Sequence, residues 1–502
     1  MDTQIVPSNR QTVIYNTFQE TDYNLLIQAV AGSGKTTVLL GLLGYAQYRT
    51  LFLAFNKSIQ EEISTRIDQA GFQHAKAMTL HSLGLMALNY HFGKVIIDKN
   101  KNYKLIKSLQ DYNKGLFNRM SWEEKSKTTI TLMEMNDVSR IYLTNDVEKI
   151  TTYMQEMDKF FFLHPLLDEL WQEFLYIRTS YEDQKIIDFT DMIYMVVNRE
   201  LPIPVQPYYL MIDECQDLNL AQHEFINQFI NQGDVHKWIA VGDRRQSIYG
   251  FSGSHSSSFD LFKERPNVVE LPLDVCYRCP TLVIQEANLV YDVMQGYKTE
   301  SGVVSTIDTF DKVVEGSMVI CRNSAPLIQA YFELLSRDKK VYLKGDDILN
   351  ELNRFLKPYQ YKKIKQVLDE LRAEIFLLED KSTLTDKERF KIYKLSDNLK
   401  NLTLLASNFC KLTDKVEEVL TRLKYMFDTI SDNDAIVLCT IHKSKGLEAD
   451  IVYILNEFLI PSKFAKSVSQ LEQEKNLRYV ARTRAKKELH YLNIGKKSNK
   501  EE

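Results

Sequence analysis

The stretch Ala29-Val30-Ala31-Gly32-Ser33-Gly34-Lys35-Thr36-Thr37 follows directly on the apolar run Leu25-Leu26-Ile27. A buried strand that runs into a Gly-Ser-Gly-Lys-Thr turn and then a helix is a cradle for a nucleoside triphosphate. Gly32 and Gly34 let the backbone close around phosphates, so that amide N–H groups and the first turn of the next helix point at the anion. Lys35 then reaches the β- and γ-phosphates, and the Thr36 hydroxyl ligates Mg²⁺. Ala31, Gly32, Ser33, Gly34, Lys35, Thr36 and Thr37 together are expected to bind ATP. The usual pattern opens with Gly where this chain has Ala29, so the motif rests on its second half.

The early chain alternates strand-like apolar runs with helical patterns: Leu25–Gln28, a helix from Lys35 to about Tyr45, the run Thr50–Phe55, and a helix through Glu61 and Ile67. Such alternation builds a doubly wound parallel α/β sheet, whose ligands lie at the carboxyl ends of the strands, where Gly32 to Thr36 falls. From about Leu85 to Lys185, charged helices rich in Lys, Glu, Met and aromatic residues replace the strands, which reads as a helical insertion. Strand-like runs return at Tyr208–Ile212 and Trp238–Val241, then at Ser317–Ile320, Ile436–Cys439 and Ile451–Leu455, enough for two sheets. Between Asp346 and Ser431 a second charged helical stretch carries Ile364, Val367, Leu368, Leu371 and Ile375 at helical spacing. A further insertion and a coiled-coil face are both open readings of it.

With 502 residues, 44% of them hydrophobic and 26% charged, the chain has length for about three or four globular domains. A net charge of −4 argues against coating nucleic acid over the whole surface but leaves room for a local groove. The six cysteines lack a disulfide spacing, the start has neither a basic segment nor an apolar signal core, and no apolar run approaches the about 20 residues of a membrane span. A reducing compartment is expected, a bacterial or host cytoplasm or a nucleus, without secretion or membrane insertion. Cys276-x-x-Cys279 has no second pair and is not taken as a zinc site.

The segment Leu210-Met-Ile-Asp-Glu-Cys-Gln-Asp217 is a buried strand ending in paired acids. Asp213 at the strand tip suits the Mg²⁺ shell, which prefers carboxylate oxygen, and Glu214 can orient and deprotonate the attacking water.

With both halves of a hydrolysis site in hand, the chain resembles superfamily 1 DNA helicases of the UvrD/Rep/PcrA group, and in motif wording the F-box DNA helicase branch. The shared strings run in order from Gln11 through the phosphate loop, Asp-Glu-Cys-Gln-Asp217, Gly242-Asp-Arg-Arg-Gln-Ser-Ile-Tyr249, Tyr277-Arg278, Thr440-Ile-His-Lys-Ser-Lys-Gly-Leu-Glu448 and Tyr479-Val-Ala-Arg-Thr-Arg-Ala485. The family's phosphate loop opens with Ala, which accounts for Ala29. The resemblance implies two RecA-like parallel-sheet P-loop lobes with two mainly helical insertions. The first lobe is expected over residues 1–85 and 186–278 with an insertion at 86–185, and the second over 279–345 and 432–502 with a shorter insertion at 346–431.

The resemblance also implies roles. Gln11 would read the adenine edge, Tyr277 would stack on the base, and Glu448 would accept from the ribose hydroxyl. Gln246 would sense the γ-phosphate, while Arg278 and Arg484 would stabilise its charge, Arg482 being the less favoured finger. Lys35, Asp213, Glu214, Gln246, Arg278 and Arg484 form the catalytic set, with Thr36 and Asp213 on the metal. Phe55, Asn56, His81, Phe189, Tyr249, Phe251, Thr440 and His442 would line the single-strand path, where stacking on rings tolerates any base.

The implied activity is an ATP- and Mg²⁺-dependent translocase on single-stranded DNA that unwinds tailed duplex with 3′-to-5′ polarity. Hydrolysis in a cleft between the lobes would drive stepping by a monomer. Repair, recombination or replication would supply partner proteins. Alternatives are a motor whose main output is removal of recombinase or other proteins from DNA, and a catalytically silent DNA-binding scaffold. Two departures stand out: Phe251-Ser252-Gly253-Ser254 replaces aromatic-Arg-Gly-Ala, and the second insertion is short.

Overall fold

The chain divides into two compact units, Met1–Val275 and Cys276–Glu502. A computed structural model describes residues 7–494 apart from 158, 160, 251–252, 254–256, 345–354, 357–358, 381–385 and 429–433. In the first unit, six strands form a wholly parallel sheet: β1 (Asn24–Ala29), β2 (Thr50–Ala54), β3 (Ala75–Thr79), β4 (Tyr209–Ile212), β5 (Lys237–Gly242) and β6 (Val268–Leu273). Their order is β3-β2-β4-β5-β1-β6. β4, β5 and β1 are therefore neighbours, so the loops leaving their carboxyl ends emerge side by side.

The runs are apolar without interruption because both faces of the sheet are covered. Successive side chains point to opposite faces. Leu25 and Ile27 join a core with Ile14 and Phe18 of helix α1 (Asn9–Glu20), Val38 and Leu42 of α2 (Lys35–Leu43), and Ile63 and Ile67 of α3 (Lys57–Ala70). Leu26 faces the other way, into a core with Leu83 and Leu88 of α4 (Leu80–Phe92) and residues of the helices Asp191–Asn198 and Leu220–Asn231.

Between α4 and the helix Asp191–Asn198 lies a helical insertion. The two-residue strands Ile96–Ile97 and Ile186–Ile187 pair in parallel at its base. Its helices Lys101–Tyr112, Trp122–Ile141, Val147–Glu156 and Leu167–Asp183 enclose their own core around Leu109, Met135, Ile150, Trp171 and Phe174.

The second unit carries another all-parallel six-stranded sheet: β7 (Val303–Ile307), β8 (Met318–Cys321), β9 (Val341–Leu343), β10 (Ile436–Thr440), β11 (Ala449–Leu455) and β12 (Ala485–Leu492), in the order β7-β12-β11-β8-β10-β9. These two sheets are the α/β architecture of two RecA-like lobes that the sequence led us to expect. The stripe Ile364, Val367, Leu368, Leu371 and Ile375 is buried with Leu402, Leu405, Val419 and Leu423 in the same core as the sheet residues Val319 and Leu438. Its apolar spacing is thus accounted for within the unit.

Candidate functional site

The phosphate loop bridges β1 and α2. Gly32 (φ +69°) and Gly34 (φ +81°) adopt left-handed conformations that a side chain disfavours, and Gly34 caps α2. Ser33 is buried, and its hydroxyl donates to the Val30 carbonyl at 2.8 Å, which fixes the loop from beneath. At the next carboxyl ends, Lys35 Nζ lies 2.8 Å from the Glu214 carboxylate, and Thr36 Oγ1 donates to Asp213 Oδ2 at 3.1 Å. The two halves singled out in the sequence therefore meet. Glu214 itself is left-handed (φ +51°), a conformation that costs a non-glycine residue roughly 1–3 kcal/mol and that concentrates at functional sites.

A second layer of contacts was not assigned from sequence. Gln216 Nε2 donates to Glu214 Oε2 at 2.6 Å and to Asp217 Oδ2 at 3.0 Å, while its Oε1 accepts from the Asp243 amide at 3.0 Å. Gln246 Nε2 donates to Asp243 Oδ2 at 2.8 Å. A relay of side chains thus joins the loop after β4 to the loop after β5. Gly242 makes room for it: a Cβ there would lie 2.5 Å from Gln216 Oε1 and 2.7 Å from Cys215 Sγ.

Burial opposes the Lys35 charge, but the carboxylates of Glu214, Asp213 and Asp243 outweigh it and hold the ammonium above its ordinary pKa. Asp213 is pushed up to about 6, first by burial and then by Glu214, with Lys35 pulling the other way. Burial also raises Asp243. One lysine thus faces three carboxylates. An acid-rich pocket with the hard oxygen donors of Thr36 and Asp213 side by side suits a divalent cation such as Mg²⁺. The cation would supply charge neutralisation for the β- and γ-phosphates.

Gln11 closes a capping box at the start of α1: its Oε1 accepts from the Ser8 amide at 2.9 Å. It also lines a cavity of about 420 Å³ with Tyr15, Thr37, Tyr45, Arg66 and Phe72. The bidentate amide expected at an adenine edge retains its NH₂ group and a second lone pair for that use.

The expected DNA-facing residues of this unit come together in pairs. His81, in the first turn of α4, stacks on Phe189 with centroids 3.9 Å apart and 17° between planes, and Phe189 is 61% exposed. Phe55 and Tyr249 are stacked at 6.2 Å and 12°. Burial lowers the His81 pKa to about 4, which keeps the ring neutral at physiological pH. Asn56 caps α3, its Oδ1 accepting from the Ile59 amide at 2.9 Å. Phe251, Ser252 and Ser254 lie outside the described residues.

In the second unit, Arg278 Nε lies 2.6 Å from Glu448 Oε2, and Arg278 Nη1 donates to the Thr483 carbonyl at 3.3 Å. Tyr277 packs on Tyr297 with centroids 4.7 Å apart. Arg484 is 1% exposed, its guanidinium donating to the carbonyls of Val480 (2.9 Å) and Leu447 (3.2 Å). Arg482 pairs with Glu457 at 2.9 Å. Thr440 caps the helix Ile441–Ser444, and burial together with Arg322 lowers the His442 pKa to about 3. Cys276 and Cys279 are buried together, the Cys279 amide donating to Cys276 Sγ at 3.4 Å.

A parallel sheet whose first strand feeds a glycine cradle, with lysine, threonine and paired acids converging on it, defines a P-loop nucleotide hydrolase. The UvrD/REP helicase N-terminal domain matches residues 10–267, and the chain belongs to the UvrD/Rep helicase family. It is an ATP-hydrolysing helicase by class. The Bacillus subtilis (strain 168) protein YjcD is 25% identical, with 97% of this chain and 79% of that protein aligned. The ATP-dependent DNA helicase Rep of Buchnera aphidicola subsp. Acyrthosiphon pisum is 23% identical over 95% of this chain and 93% of its own length. F-box DNA helicase protein 1 of Schizosaccharomyces pombe is 24% identical over 93% of this chain and 55% of its own length. Among the described residues, no helix is long and apolar enough to cross a membrane.

Proposed function

We propose that the protein hydrolyses ATP to move along single-stranded DNA from 3′ to 5′ and to separate tailed duplex. The observation that carries this reading is the Lys35–Glu214 and Thr36–Asp213 pairing at the carboxyl ends of β1 and β4. A phosphate seated on the loop competes with Glu214 for the Lys35 ammonium. When the phosphate takes Lys35, the Glu214 carboxylate is released to orient a water and accept its proton. Through Gln216, that change is passed to Asp243 and Gln246 on the loop after β5, which runs on to Tyr249 of the aromatic pair. The charge-stabilising roles of Arg278 and Arg484 and the base contact of Tyr277 belong to the same proposal.

Unwinding of 3′-tailed and 5′-tailed duplexes, in DNA and in RNA, tests it. ATP-dependent separation of the 3′-tailed DNA is expected, and separation of the 5′-tailed form alone contradicts the polarity. Disassembly of a recombinase filament, compared with strand separation at matched ATP turnover, decides whether protein removal is the main output.

A further inference from the structure

Phe189 of the stacked pair His81–Phe189 sits on a four-residue turn, Asp188–Asp191, whose two acids are tied up in ion pairs. Asp188 and Asp191 flank Phe189-Thr190 and lock the turn reciprocally: the Asp188 amide donates to Asp191 Oδ2 at 2.8 Å, and the Asp191 amide donates to Asp188 Oδ1 at 3.0 Å. Both carboxylates are then gripped by cations from the helical insertion. Arg140 Nη1, from the helix Trp122–Ile141, reaches Asp188 Oδ1 at 2.7 Å and Asp191 Oδ1 at 2.8 Å. Lys101 Nζ, from the helix Lys101–Tyr112, reaches Asp191 Oδ2 at 2.6 Å. Lys101, Arg140 and Asp191 have no side-chain exposure at all.

Burial of that many charges is costly unless each is paired, and cores of this size are usually apolar. The arrangement holds the backbone of one turn, and the side chain that this turn presents outward is Phe189, exposed beside a buried cage. The partner ring is set by a second constraint. Gly84 of α4 lies so close to the helix Asp191–Asn198 that a Cβ would overlap the Met192 carbonyl. This close crossing brings His81, three residues before Gly84, onto the Phe189 ring.

We propose that Arg140 and Lys101 are positioning residues through which the helical insertion holds the Asp188–Asp191 turn, and with it the Phe189–His81 platform, in register for stacking against a base of single-stranded nucleic acid. The proposal rests on the reading of Phe189 and His81 as strand-facing residues. It gives the insertion a task in strand grip without requiring any of its residues to touch the strand.

The test is a double-mutant cycle between Arg140→Lys and Phe189→Ala in the full chain. Its readout is the oligo(dT) concentration that half-saturates ATP hydrolysis, measured together with kcat at saturating oligo(dT). Arg140→Lys keeps the buried charge but loses the planar guanidinium, whose Nη1 bridges Asp188 and Asp191 while Nη2 holds Asp137 and Nε the Asn136 carbonyl. Loss of one stacking ring raises the half-saturating concentration about fivefold or more. Phe189→Ala is expected to show that rise, Arg140→Lys a similar one with kcat kept within about twofold, and the double variant no more than Phe189→Ala alone. Asp188→Asn, which keeps an acceptor for the Asp191 amide, is run in the same cycle and decides the question should Arg140→Lys fail to fold. Equal rises from the cage variants with and without Phe189, or no rise in a folded variant, overturn the positioning role while leaving the platform reading intact. No effect of Phe189→Ala overturns the platform reading and the proposal with it.

Discussion

Gly242→Ala tests whether the relay between the loops after β4 and β5 holds the hydrolysis site together. The new Cβ would sit 2.5 Å from Gln216 Oε1, 2.7 Å from Cys215 Sγ and 3.2 Å from the Gln216 amide nitrogen, in a region where Cys215, Gln216 and Asp243 are all buried. Overpacking of a filled interior costs about 1–3 kcal/mol. Gln216 can yield only by giving up its Oε1, and the buried Asp243 amide then loses its acceptor, at a further cost of about 1–3 kcal/mol. The expected destabilisation is about 2–6 kcal/mol, far above the roughly 0.5 kcal/mol of an inert substitution.

Urea unfolding followed by tryptophan fluorescence measures it selectively, because the three tryptophans, Trp122, Trp171 and Trp238, all lie in the first unit. Gln216→Ala supplies the internal control. It removes the same acceptor, so the cost of the orphaned Asp243 amide is incurred once in the double variant. The two substitutions together should cost about 1–3 kcal/mol less than their sum. A Gly242→Ala protein as stable as the parent, or strict additivity with Gln216→Ala, would refute the reasoning.

His81 gives a pH signature. Its folded pKa of about 4 lies below the ordinary 6.5, so the buried neutral ring costs nothing above pH 6.5, and stability is lost as the pH falls from 6.5 towards 4. The first unit should lose about 2 kcal/mol on this account at pH 5, and His81→Phe should abolish that loss in tryptophan-monitored unfolding from pH 5 to 8. Arg484→Met is expected to lower kcat for DNA-stimulated ATP hydrolysis by about 10³-fold or more if Arg484 is the finger. Arg482→Met, which breaks the pair with Glu457, should lower the melting temperature of the second unit and leave kcat within about threefold.

The interior of each sheet was legible because a strand covered on both faces must be apolar throughout, as in Leu25-Leu26-Ile27, Leu210–Ile212 and Trp238–Val241. The edge strands were not. Ala75–Thr79, Val268–Leu273, Val303–Ile307 and Val341–Leu343 each lie at the margin of a sheet, where partial exposure admits Lys76, Glu270, Pro272 and Ser305 and breaks the apolar run. Ala485–Leu492 is an interior strand, but its Ala-Lys-Lys-Glu-Leu-His-Tyr-Leu pattern carries charges on partly exposed positions and does not read as a strand. At the site, Lys35, Thr36, Asp213 and Glu214 were readable because phosphate and metal chemistry restricts the residue types. Gln216, Asp243 and Gly242 stood in the same strings, yet their part depends on which strands are neighbours. The Arg140 and Lys101 cage was invisible for a similar reason: its cations are 90 and 51 positions from Asp191, with no spacing to connect them.

The central claim is that nucleotide hydrolysis on the phosphate loop is coupled to a DNA strand. ATP turnover by the purified full chain with and without single-stranded DNA, compared with that of Lys35→Ala, tests it most directly. Strong stimulation by DNA in the parent, and loss of both basal and stimulated turnover in Lys35→Ala with DNA binding retained, is the predicted result. Turnover that ignores DNA, or DNA-stimulated turnover that survives Lys35→Ala, would contradict the account.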